Sequence, residues 1–159
     1  MPNFLTRNTY ETLREKLRQI KEVEIPRISK AKQLAAEEGD LSENAEYIGC
    51  KEKLELLHSQ YDNLRERIAQ PTFIEDLKIP GNIVSIGVRV EIEEADSGEK
   101  TAYTILGSAD VDLDRGIISF SSPLAKGMIG KKEGAEIDIS VPEGIRRVKI
   151  LSIRRFDES

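Results

Sequence analysis

Asp40 and Glu43 are two carboxylates three residues apart, directly after Gly39. From Gln33 to Cys50 there is no Lys or Arg, yet Glu37, Glu38, Asp40, Glu43 and Glu46 all fall there. Asp40 followed by Glu43 has the outline of a capping box, and acids in a first helical turn suit the helix dipole. Capping alone does not account for five acids without a compensating base, because their mutual repulsion costs stability. Two carboxylates on a tight turn can share one hard divalent cation. Mg²⁺ is commonly held by one or two carboxylates together with substrate oxygens and water. In phosphodiester chemistry such a cation activates water and steadies the leaving group. The turn alone offers few ligands, so a second protein must supply the rest. Lys30 and Lys32 lie behind the turn on one side, and Lys51 and Lys53 on the other. They form a basic collar roughly 12–15 Å back along the axis, placed to steer a nucleic-acid backbone.

The elements around this turn read as helices. Tyr47, Cys50, Leu54, Leu57, Tyr61, Leu64 and Ile68 recur at alternating spacings of three and four. This is the seam of a helix packed along another helix. Upstream, Tyr10, Leu13, Leu17 and Ile20 carry a matching seam, with Ala31 and Leu34 in the same register. Pro26 interrupts between them, and Ile25 and Ile28 lie one residue off register, which predicts a bent first helix that recovers its register. Gly49 is a weak point in the second helix. The short connection makes the helices antiparallel neighbours, in a finger reaching roughly 45 Å.

The composition changes near Pro71. Residues 71–159 hold nine of the 11 Gly and four of the six Pro. Strands are predicted at 83–86, 88–94, 101–107, 116–120, 136–141 and 146–153, with Asp96-Ser97-Gly98-Glu99 as a turn. Ser122-Pro123 opens a short helix, serine as N-cap and proline at the first position. The predicted fold class is α+β: a coiled-coil hairpin over 1–75, a linker over 76–82 and a small antiparallel sheet domain with one short helix over 83–159.

The bulk properties bound the function. With a net charge of −5, the chain is not a broad-footprint nucleic-acid binder. One cysteine, Cys50, makes neither an internal disulfide nor a zinc site, and with His58 as the one histidine no Ser/His/Asp or Cys/His arrangement is credible. His58 reads as a surface position and Cys50 as a small seam residue. Arg146-Arg147 and Arg154-Arg155 read as solvated strand-edge residues. The absence of an apolar leader core or membrane-length run points to the cytoplasm.

Gly39-Asp40-Leu41-Ser42-Glu43-Asn44-Ala45-Glu46-Tyr47 resembles the tip signature of the Gre family of transcript cleavage factors, GreA type. Ser122-Pro123-Leu124-Ala125-Lys126-Gly127-Met128-Ile129-Gly130-Lys131 resembles the family's C-terminal motif. Tyr103–Gly107 and Gly116–Ser119 also fit, so the likeness spans nearly the whole chain in order. The resemblance implies an FKBP-like C-terminal domain. It implies a monomeric accessory factor, not itself an enzyme, that enters bacterial RNA polymerase through the secondary channel. There it stimulates the polymerase's own cleavage of the nascent RNA 3′ end in backtracked complexes. Asp40 and Glu43 then help hold a catalytic Mg²⁺ shared with the polymerase. Lys51 falls in the family's basic patch, and Ser122, Pro123 and Leu124 form the docking contact. Two alternatives stand beside this reading. One is a channel-occupying regulator that does not stimulate cleavage. The other is a chaperone or prolyl isomerase, disfavoured because the C-terminal half is poor in aromatic residues and the tip is acidic.

Overall fold

The computed structural model describes residues 3–158. Tyr10–Ala69 forms one compact unit, and the residues on either side of it form the other.

The first unit is the helical hairpin. Helix α1 (Arg7–Gln19, its first turn belonging to the other unit) passes through a π-helical turn, Ile20–Glu24, into α2 (Ile25–Ala36). Helix α3 (Ala45–Ile68) runs back without interruption. Ile20, Ile28, Leu57 and Leu64 form its buried seam, with Leu13, Leu17, Ile25, Cys50, Leu54 and Tyr61 packed against them. The α3 seam is the one read from its spacing. The α2 seam is not: Ala31 is exposed and Leu34 is 54% exposed, whereas Ile28 and Ala35 are buried. The first helix therefore does not recover its register. A π turn takes up one extra residue, so every later side chain advances by one position. Ile25 and Ile28, off register for an ideal helix, are on register after that insertion. Pro26 supplies a reason for the turn, since in regular α-helix its ring would meet the Glu22 carbonyl four residues back.

The second unit holds a five-stranded sheet of order β5-β4-β3-β7-β6: β3 (Val88–Glu94), β4 (Lys100–Leu106), β5 (Ile117–Ser119), β6 (Glu136–Val141) and β7 (Gly144–Arg155). Helix α4 (Pro123–Met128) packs against β6. The sheet is mixed rather than antiparallel throughout, because β4 and β5 pair in parallel. Turns through Ser108–Asp110 and Leu113–Arg115, with Gly116 at φ 71°, bring the chain back in the β4 direction. Residues 83–86 do not form a strand. Ile83 makes an isolated bridge to Lys132, and buried Val84 exchanges backbone bonds with Lys131 and Gly130. Val88, Val90 and Ile92 from β3, with Ile105, Met128, Ile139, Val148 and Ile150, fill the core.

Two short parallel strands, β1 (Asn3–Leu5) and β2 (Pro71–Phe73), belong to this unit. The division of the chain therefore falls at Gln70, and residues 70–75 sit with the sheet rather than the hairpin. Asp110 anchors the N-terminal segment, accepting from the Thr6 N–H (2.9 Å) and hydroxyl (2.7 Å) and from the Thr9 hydroxyl. Arg7 pairs with both carboxylate oxygens of Asp76 and lies over the Phe73 ring.

Candidate functional site

The tip connects α2 to α3 through residues 37–44. Gly39 has φ 134°, a backbone conformation L side chains rarely adopt, and nothing lies within 4 Å of a Cβ built there. Its glycine is required by conformation rather than by space. Asp40 and Glu43 are both exposed. Asp40 Oδ1 accepts two hydrogen bonds, from the Ser42 hydroxyl at 2.8 Å and the Ser42 N–H at 3.0 Å. These donors hold the Asp40 carboxyl below the ordinary carboxylate value.

The capping-box outline is not what caps α3. The N-cap is Asn44, whose Oδ1 accepts from the Tyr47 N–H at 3.0 Å. Its Nδ2 donates to the Ala35 carbonyl at 2.7 Å, joining the end of α2 to the start of α3. Asp40 and Glu43 precede the cap and are not used by it, which leaves both carboxylates in the loop.

The collar lysines fall in distinct surroundings. Lys32 is half-buried, its ammonium 5.5 Å from the Tyr47 ring centroid. Lys51 borders a shallow concavity with Leu41, Ser42, Tyr47 and Ile48. Lys30 and Lys53 are exposed on α2 and α3. In the other unit, Ser122 is the N-cap of α4, its hydroxyl accepting from the Ala125 N–H and donating to the Ser119 carbonyl. Pro123 is exposed, and Leu124 packs against the sheet core. His58 is exposed and Cys50 half-buried. Arg146 pairs with Glu94 on β3, and Arg147 with Asp138 on β6 at 2.8 Å, so both join neighbouring strands.

Two carboxylates on an exposed loop are hard oxygen donors of the kind that suit Mg²⁺. Among the described residues, no group of three or more His, Cys, Asp or Glu side chains is placed to hold a metal ion. The loop can thus supply part of a coordination set. Ser42 and Asn44 were not singled out as site residues from the sequence. The preference of asparagine for N-cap positions was a signal for Asn44.

The chain thus combines a helical hairpin that ends in an acidic loop with a small mixed-sheet domain. The family model for the N-terminal domain of transcription elongation factors matches residues 3–72, and that for the GreA/GreB C-terminal domain matches 79–155. The chain belongs to the GreA/GreB family of transcription elongation factors. It is 37% identical over 150 residues to transcription elongation factor GreA of Paracoccus denitrificans, covering 94% of this chain and 96% of that one. It is 38% identical over 149 residues to the GreA of Helicobacter hepaticus, covering 94% and 91%. Among solved structures, GreA factor homolog 1 (Gfh1) of Thermus thermophilus aligns over 97% of this chain and 99% of that one, at 23% identity and a TM-score of 0.43. No helix among the described residues is long and apolar enough to cross a membrane.

Proposed function

We propose that this elongation factor delivers Asp40 and Glu43 into the active centre of bacterial RNA polymerase through its secondary channel. There it stimulates the polymerase's own cleavage of the nascent RNA 3′ end in backtracked complexes. The observation that carries this reading is that both carboxylates lie exposed in one loop, outside the capping of α3, on a hairpin tip closed by Asn44. Family membership supports the elongation role.

In this reading Asp40 and Glu43 hold a Mg²⁺ jointly with the polymerase, and the remaining ligands come from the polymerase, the RNA and water. The cation, when bound, supplies a polarised water for attack on the phosphodiester. Ser42 orients the Asp40 carboxylate and favours its ionised form. Lys51 and Lys53, with Lys30 and Lys32 on the facing arm, attract the RNA backbone. Ser122, Pro123 and Leu124 form the docking contact, with the exposed ring of Pro123 outermost. The factor acts as a monomer in the cytoplasm.

Charge-conserving substitutions test the proposal, because metal coordination is stricter about geometry than an acidic surface is. Asp40→Glu and Glu43→Asp each move a carboxylate by one methylene. Loss of cleavage stimulation with retained polymerase binding supports carboxylate donation. Full stimulation by both variants contradicts it.

A further inference from the structure

We infer that Asn44 is a positioning residue for the carboxylate loop: its side-chain amide closes the base of residues 37–43, so that Asp40 and Glu43 are presented in one arrangement. This rests on the function proposed above.

The Ala35 carbonyl lies in the last turn of α2, where the final four carbonyls of a helix have no partner further along it. Ala35 itself is buried, at 4% exposure. Its carbonyl accepts from the Glu38 N–H at 3.2 Å and from Asn44 Nδ2 at 2.7 Å. On the other side of the same planar group, Asn44 Oδ1 accepts from the Tyr47 N–H at 3.0 Å, in the first turn of α3. One rigid amide therefore spans the end of one helix and the start of the next.

Residue type decides which side chains can do this. The role needs one donor and one acceptor on a short planar group. Aspartate and serine are equally good N-caps. Aspartate keeps the acceptor but turns an oxygen towards the Ala35 carbonyl. Serine keeps the acceptor on a side chain too short to reach both partners. Within the loop, the Ser42 bonds orient Asp40 locally but join it to neither helix. Glu43 adjoins Asn44 in the chain, so the backbone that carries it is held by the same amide. The register shift upstream contributes as well. Ala35, rather than Leu34, faces the seam, so the residue whose carbonyl Asn44 reaches is itself held in the packed interface.

The test compares full-length Asn44→Asp and Asn44→Ser, both of which keep the cap acceptor and only one of which adds charge. The first readout is the backbone order parameter of residues 39–43 in the free protein, by nitrogen relaxation. The second is RNA cleavage in backtracked polymerase complexes over a range of factor concentrations. The inference expects both variants to lower the order parameters while the Tyr47 amide stays protected from exchange. It also expects the cleavage rate at saturating factor to fall on the order of tenfold to a hundredfold, with the half-saturating concentration unchanged. Loss of hairpin stability alone would shift the half-saturating concentration instead. Unchanged order parameters in both variants overturn the inference, as does wild-type cleavage at saturation. If the wild-type protein itself fails to stimulate cleavage, the proposed function falls, and the order parameters alone then decide the role of Asn44.

Discussion

The backbone N–H of Ile25 donates to the carbonyl of Ile20, five residues back instead of four. That single wide turn places Ile28 and Ala35 in the seam and leaves Leu34 outside it. Deleting Val23, which is 45% exposed within this turn, removes the extra residue. The deletion keeps Ile25, Ile28 and Ala35 on the seam of a regular helix, but it sets the Pro26 ring against the carbonyl four residues back, now that of Lys21. Proline inside a regular helix costs about 3 kcal/mol, so the hairpin melt by circular dichroism should fall clearly. An unchanged melt would mean that Pro26 does not need the wide turn.

Gly39 and Gly49 should respond to alanine in opposite directions. Gly49 lies within α3, and nothing is within 4 Å of a Cβ built there. Gly49→Ala should stabilise the hairpin by about 1 kcal/mol, from helix propensity. Gly39 has equal space but φ 134°, so Gly39→Ala should cost about 1–3 kcal/mol of backbone strain, concentrated in the loop. Urea unfolding of the two variants checks both signs.

Gly107 is constrained by contact rather than conformation. A Cβ there would stand 1.9 Å from the Phe4 carbonyl oxygen, a backbone atom that moves only with β1. Gly107→Ala should therefore displace the β1·β2 pair and destabilise the sheet unit by about 1–3 kcal/mol or more. Chemical-shift changes centred on residues 3–5 and 71–73 would locate the effect.

Asp40 gives a prediction in pH. The Ser42 hydroxyl, then the Ser42 N–H, favours the ionised carboxylate and lowers its pKa. The stabilisation from these bonds is present above the unfolded aspartate value of about 3.9 and is lost as pH falls through the lower folded value. Ser42→Ala should raise the Asp40 pKa towards the ordinary value, read from the side-chain carboxyl carbon by NMR. An unchanged titration would show that the Ser42 bonds do not form in solution.

The α3 seam was legible because an uninterrupted helix against one partner repeats every three and four residues, and Leu57, Leu64 and Ile68 follow that rule. The α2 seam was not, because one inserted residue breaks the count. Pro26 and the off-register pair Ile25 and Ile28 were its traces. Strands β1 and β2 have three residues each, too few to show alternation. The parallel pairing of β5 depends on the path of the turns before it, which strand patterning does not report. At the tip, the type and spacing of Asp40 and Glu43 were legible as chemistry. The roles of Ser42 and Asn44 depend on hydrogen bonds across a folded loop, and the capping-box outline drew attention to the wrong pair.

The most direct measurement is RNA cleavage in a stalled, backtracked polymerase complex with Mg²⁺, comparing wild type with Asp40→Ala/Glu43→Ala. The account predicts faster release of 3′ fragments with the wild type alone, while the variant still binds the polymerase. Equal stimulation by the variant would contradict carboxylate donation, and binding without stimulation by either protein would make the hairpin an occupant of the channel instead.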